Sequence, residues 1–347
     1  MKFTKNILLP IIMKLFFILF VLLSSCVNIK NKNSQPIPEK VTELDVRGHE
    51  GMPKFSDYPN LKIIKISYAR LDSFPYDIFS LKHLKKLTIE SCKFKTLPSE
   101  LSKLDSLEIL NLRYNNLDSL PNSIFSLVNL IELDVIGNNI KVIPPTISIF
   151  KKLTSLYLSS NNIQVLPEEL YLLSNLENLV VSNNRIRYLS DKISNLKFLS
   201  NLDIENNGIK TIPKTIETLK ELYRLNIGGN RIDIIYFDIT MNEKLGIFLF
   251  DNNQIRKFPE GATTLNGLWA LGVSRNPMKI DTLFLKQCMT LREFSISYNQ
   301  INSDFDVARK YLKPRTMIIY VDSIYTAEQK RLLRDKLNNT GLNVMIE

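Results

Sequence analysis

The sequence predicts an α/β solenoid, a stack of similar units with a parallel β-sheet on its concave side and short helical or 3-10 turns on its convex side. Three observations predict it. A leucine opens a new unit every 23 residues, at Leu61, Leu84, Leu107, Leu130, Leu153, Leu176, Leu199, Leu222, Leu245, Leu268 and Leu291, with no insertion between them. Inside a unit, apolar residues alternate with others, as in Leu156-Tyr157-Leu158, which is the period of a strand buried on one face. Beyond that run they return at three- to four-residue intervals behind a proline, as at Leu166, Pro167, Leu170 and Leu173, which suits a short helical or 3-10 turn. One such unit cannot bury its own leucines, so neighbours must stack and share a continuous core.

Residues 1–25 read as an export signal. Lys2, Lys5 and Lys14 precede the apolar run from Leu15 to Leu23, and no acidic residue stands before Cys26. The run is nine residues long, whereas a membrane-spanning helix needs roughly 20. Leu23-Ser24-Ser25-Cys26 resembles the lipobox of bacterial lipoproteins. That resemblance implies a diacylglycerol on the Cys26 thiol and cleavage just before it; ordinary signal-peptidase cleavage and an uncleaved anchor are the alternatives. Met13-Lys14 followed by the run is itself a compact signal, so translation starting at Met13 is a second expectation.

Residues 26–40 are polar, punctuated by Pro36 and Pro38, and lack periodicity. They are expected to form a lipid-anchored tether, with a reach of roughly 20 Å if flexible. Residues 41–60 form an N-terminal half-repeat cap in which Val41, Leu44 and Val46 match the strand leucines. The eleven repeats occupy 61–313. Residues 314–347 are expected to close the stack as a strand-helix-strand cap, with a strand from Met317 to Val321, a helix opening at Thr326-Ala-Glu-Gln329 and a last strand from Val344 to Ile346. A small independent ligand-binding unit is the alternative for this segment.

The repeat reads L-x-x-L-x-L-x-x-N-x-I-x-x-L-P-x-x-L-x-x-L, as in the stretch from Leu153 to Leu173. It resembles the leucine-rich-repeat family over most of the chain. The resemblance implies a horseshoe whose concave face binds protein. The asparagines Asn115, Asn138, Asn161, Asn184, Asn207, Asn230, Asn253, Asn276 and Asn299 recur at the ninth position, where the chain leaves the strand. An amide both donates and accepts, so a stacked ladder of them can satisfy the backbone groups stranded there. Cys92 takes one ladder position and Cys288 the last apolar position of its unit. The repeat map sets these two roughly 40 Å apart, far past the roughly 7 Å limit for a disulfide, so both read as small buried residues.

Composition and chemistry point away from catalysis. Only His49 and His83 are present, on different levels and faces, and neither has a zinc-ligand partner at the expected spacing. No nucleophile elbow or phosphate loop occurs, so no catalytic residue, metal or cofactor is expected. The net charge of +10 falls to +7 when Lys2, Lys5 and Lys14 leave with the signal. The remaining basic residues are scattered rather than clustered with aromatics, which argues against nucleic acid as a partner.

Read by register, the concave surface offers Tyr68, Arg113, Tyr114, Glu132, Asp134, Tyr157, Asp203, Glu205, Asp251 and Tyr298 as candidate ligand-binding residues. The acids gather centrally although the chain is basic, and acids with interspersed tyrosines suit a basic protein ligand. The alternative is a carbohydrate-binding or adhesive surface protein, with the tyrosines stacking on sugar rings. Val27 stands after Cys26 where lipoprotein sorting usually shows a retention aspartate. By that resemblance the chain is expected at a bacterial outer membrane, on the periplasmic rather than the outer face; in a single-membraned cell it would face outward.

Overall fold

The computed structural model describes residues 26–28, 38–48, 51–69, 74–259, 261, 267–279, 291–297, 317–320, 326–328, 331, 335 and 344–346. The chain divides into two units, residues 1–117 with 121–132 and residues 118–120 with 133–347.

In the first unit, strands β1 (Cys26–Asn28), β2 (Glu43–Arg47), β3 (Ile63–Ser67), β4 (Lys86–Glu90) and β5 (Ile109–Asn111) pair in chain order, every pair parallel. From β3 to β5 each partner lies 23 residues on, as in Ile63 with Lys86 and Lys86 with Ile109. Leu44, Ile64, Leu87 and Leu110 thereby form one inward row, all fully buried. Val41, Leu44 and Val46 of the expected cap are buried as strand residues are. The tether expectation differs from the structure at both ends. Cys26–Asn28 is a strand laid on β2, and Pro38–Lys40 is a 3-10 turn; a three-residue strand shows no periodicity because its order comes from the ladder bonds of the neighbouring edge. Residues 1–25 and 29–37 lie outside the described residues.

The return legs are 3-10 turns at Tyr76–Ser80, Ser99–Lys103 and Asn122–Ser126, each preceded by a proline, Pro75, Pro98 or Pro121. The pyrrolidine ring fixes φ and holds the chain extended until the turn begins. Ile78, Leu101 and Ile124 then drop into the core. Phe74 stacks on Phe79 with centroids 5.2 Å apart, filling the space beneath the first full repeat.

Strand β6 (Glu132–Asp134) falls at the boundary between the units. The second unit continues with β7 (Ser155–Tyr157), β8 (Asn178–Val180), β9 (Asn201–Asp203), β10 (Arg224–Asn226), β11 (Ile247–Leu249), β12 (Ala270–Gly272), β13 (Glu293–Ser297), β14 (Met317–Tyr320) and β15 (Val344–Ile346). From β7 to β15 each pairs in parallel with the next. Phe294 pairs with Met317, so the first cap strand is still one repeat length from its neighbour. Residues 327–328, 331 and 335 are helical and Val344–Ile346 is a strand, in the expected order. The 3-10 turns follow Pro144, Pro167 and Pro213; where the proline is missing, Ser190 and Asp238 cap the turn instead, accepting from the Lys192 and Thr240 amides.

The ladder asparagines make a repeated set of bonds. Asn161 Nδ2 donates to the carbonyls of Val135, Leu158 and Ser159 at 3.0, 3.0 and 3.2 Å, and its Oδ1 accepts from the Ile140 amide at 2.9 Å. Asn184, Asn207, Asn230, Asn253 and Asn276 repeat this pattern one unit further each. Asn138 donates to the Val135 and Ile136 carbonyls. In the first unit Asn115 donates to the carbonyls of Ile89, Leu112 and Arg113 and accepts from the Cys92 amide. Cys92 is buried, its thiol directed at the Glu90 carbonyl at 3.2 Å, and burial pushes its pKa up. Asn299, Cys288 and His49 lie outside the described residues, and His83 is exposed.

Candidate functional site

In the second unit the strand period of two sends alternate side chains away from the core. Tyr157, Val180, Asp203, Asn226, Leu249, Gly272 and Ser295 form one row in register across seven strands. Two residues further along each chain stand Glu205, Gly228, Asp251 and Ser274. The chemistry of this face changes along the row, from Tyr157 and Val180 through Asp203 and Asn226 to Leu249, Gly272 and Ser295.

Asn226 connects the acids. It is buried, and its Nδ2 donates to Asp203 Oδ2 at 3.3 Å and to Glu205 Oε2 at 3.1 Å while its Oδ1 accepts from the Gly228 amide. Arg224 approaches Asp203 at 4.0 Å. The two carboxylates therefore share one neutral donor, and Asp203 also accepts from the Glu205 amide at 3.1 Å.

Asp251 is held differently. Its Oδ1 accepts from the Ser274 amide at 2.9 Å, from Ser274 Oγ at 2.6 Å and from Ser295 Oγ at 2.7 Å. Burial pushes its carboxyl above the usual aspartate range, against the pull of these donors. The side chain can lie so low on the sheet because Gly272 leaves room: a β-carbon there would stand 1.9 Å from Asp251 Oδ2. On the other side Gly228 carries no side chain between Glu205 and Asp251, and Asn206 Oδ1 fills the place of a β-carbon at Gly229. Asp251, Glu205, Gly228 and Gly229 line a groove of about 480 Å³ whose other charged walls are Arg224, Arg275 and Glu293.

The candidates read from sequence separate on the structure. Glu205 and Asp251 share the groove, and Asp203 joins them through Asn226. Asp134 does not belong to an exposed face: it is fully buried, and its Oδ1 accepts from the Ile136 amide at 3.1 Å, which folds the carboxylate back against its own strand. Tyr68 and Tyr114 are exposed at 64% and 53%, but they stand past the ends of β3 and β5 rather than on them. Both have a left-handed backbone, with φ of 58° and 52°, because the chain turns off the sheet there. Arg113 and Glu132 are half-buried in the first unit and Tyr157 is half-buried in the second. Tyr298 lies outside the described residues.

Missing from the sequence reading were Gly228 and Gly229 in the wall of the groove, Gly272 as the residue that lets Asp251 lie low, and Ser274 and Ser295 as the donors that anchor Asp251. Glycine at two outward register positions, where other repeats carry side chains, was the available signal. A further feature beyond it is the bond from Trp269 Nε1 to Tyr223 Oη at 2.6 Å. It crosses over Gly246, where a β-carbon would stand 2.6 Å from the tyrosine ring. Among the described residues no three His, Cys, Asp or Glu side chains are grouped to hold a metal ion.

A leucine-rich repeat region model matches residues 46–140, and a leucine rich repeat model matches 151–209 and 174–232. No curated relative matches the sequence significantly. Among solved structures, a leucine-rich-repeat protein of Leptospira interrogans is 25% identical, covers 89% of this chain and 72% of its own, and superposes with a TM-score of 0.70. An internalin from Listeria monocytogenes is 21% identical over 83% of this chain and 88% of its own, with a TM-score of 0.67. The leucine-rich-repeat ectodomain of a plant membrane receptor kinase from Arabidopsis thaliana is 18% identical over 93% of this chain and 41% of its own, with a TM-score of 0.65. Parallel strands one repeat length apart, 3-10 return legs and the two family models agree, and the chain belongs to the leucine-rich-repeat family.

Proposed function

We propose that this chain is a non-enzymatic binding protein that holds a protein ligand against the outward sheet face of its second unit. The observation that carries the reading is the set Asp203, Glu205, Asn226 and Asp251, polar side chains held in fixed positions beside a groove. Such a face is preorganised, so a ligand meets it without the entropy cost of ordering long side chains. The Arabidopsis ectodomain of the same fold is seen in complex with Casparian strip integrity factor 2, which supports a protein as the ligand class.

The reading extends to location. Residues 1–25 and the sequence Leu23-Ser24-Ser25-Cys26 support export and a lipid on Cys26 at a bacterial outer membrane. Cross-linking in intact cells, with the captured species identified, tests the central claim. Charge reversal at Asp203 and Glu205 is expected to weaken capture and, because buried Asn226 Nδ2 loses both acceptors, to lower the melting temperature without unfolding the chain at the temperature of the assay; equal capture by the variant moves the site off this face.

A further inference from the structure

Asp251 has an unusual balance of partners for an enclosed carboxylate. Three neutral donors hold Oδ1, while none of the described residues donates to Oδ2. Neither Arg224 nor Arg275, the two cations that line the groove, pairs with it. A carboxylate withdrawn from water without a counter-charge is costly, and the cost falls when a cation arrives.

Its surroundings leave room for one. Gly272 lies under Oδ2, and the groove runs from Asp251 past Gly228 toward Glu205. Asn226 is already committed to Asp203 and Glu205, and Arg224 is directed at Asp203. At about 480 Å³ the groove falls within the range of roughly 300–1,000 Å³ typical of ligand pockets. Among its charged walls, Glu205 and Glu293 add acceptors beside Asp251.

We propose that this groove receives a single basic side chain of the protein ligand, whose ammonium or guanidinium group pairs with Asp251 Oδ2 while its stem lies along Leu249 and Gly228. The inference rests on the protein-binding reading above and gives that face its specificity: a carboxylate fixed by Ser274 and Ser295 selects a cation by charge, and the volume of the groove admits the length of a lysine or arginine. Raising of the Asp251 carboxyl by burial fits an acid whose ionised form lacks its partner. Arrival of a cation should lower it again.

The test uses the full chain with carbonyl-labelled aspartate and three probes, the N-acetyl N-methylamides of lysine, arginine and norleucine. Carbon NMR is expected to show the Asp251 carboxyl shifting to saturation with lysine, arginine or both, and not with norleucine. Asp251→Asn, which keeps an oxygen for Ser274 and Ser295, should weaken cation binding at least about tenfold, as loss of a charge-assisted bond does. Equal response to norleucine, no response to either cation, or unchanged affinity in Asp251→Asn overturns the proposal. Cation binding by the groove with no protein captured in cells overturns the protein-ligand reading alone. Capture of a protein with no probe response overturns the cation pocket alone.

Discussion

Gly272 lies directly beneath Asp251, so closely that any β-carbon at Gly272 would occupy the place of Asp251 Oδ2. The glycine is there to let the carboxylate descend between β11 and β12 and reach Ser274 and Ser295. Gly272→Ala is therefore expected to force Asp251 upward and break up to three bonds to its Oδ1. A loss of about 2 kcal/mol is expected, since hydrogen bonds to charged groups contribute roughly 1.5–3 kcal/mol and part is recovered from water. Hydrogen exchange at the Ser274 amide is the local measurement, and it should accelerate. In an Asp251→Ala background the same substitution should be neutral; equal costs in both backgrounds would show that the two residues are not coupled.

The parts of this arrangement that sequence could and could not reveal differ in kind. Leu156, Leu179, Leu202 and Leu225 recur because every unit must fill the same core, and Asn161 through Asn276 recur because every unit strands the same backbone groups. A constraint repeated in every unit leaves a periodic trace. The groove arises instead where units depart from their neighbours, and its shape depends on the absent side chain at Gly228 and on the rotamer of Asp251 that Gly272 permits. Asp134 and Asp203 occupy the same register position three units apart and both fold Oδ1 back onto the amide two residues on, that of Ile136 or Glu205, yet Asp134 is fully buried while Asp203 also accepts from Asn226 Nδ2. Tyr68 and Tyr114 were misplaced for a backbone reason. The position after each strand is left-handed throughout, and asparagine or glycine announces it at Asn183, Asn206 and Gly229, but tyrosine does not.

Asn242 provides a test of how strictly the core enforces its pattern. It stands where Leu127, Phe150, Leu173, Leu196 and Leu219 stand in earlier units, and it is fully buried. Its Nδ2 donates to the Ile216 and Leu219 carbonyls at 3.0 and 2.9 Å, while Oδ1 has no partner. Both carbonyls already accept from backbone amides, those of Leu219 and Leu222, so they remain bonded without it. Asn242→Leu removes the orphaned oxygen and restores apolar packing, and should stabilise the second unit by about 1 kcal/mol. Chemical denaturation measures it, and a loss of stability would mean that the two side-chain bonds outweigh the orphan.

Tyr171 gives the fold a dependence on alkaline pH. Its ring is buried and its Oη accepts from the Ser190 amide at 3.4 Å. Burial, assisted by the nearby Glu168 and Tyr188, pushes its pKa from 10.0 up to about 12. A raised pKa means that the folded state holds the phenol proton more tightly than the unfolded state does. The resulting stabilisation is fully present below pH 10 and is lost as pH rises through about 12. Tyrosinate absorbance should therefore show one group titrating near pH 12 that Tyr171→Phe removes. The variant should also lose about 1 kcal/mol at neutral pH, because the Ser190 amide is left without its acceptor. Compared with wild type, its stability should fall less steeply between pH 10 and about 12. Equal slopes in the two proteins would assign the alkaline transition to other tyrosines or to lysines.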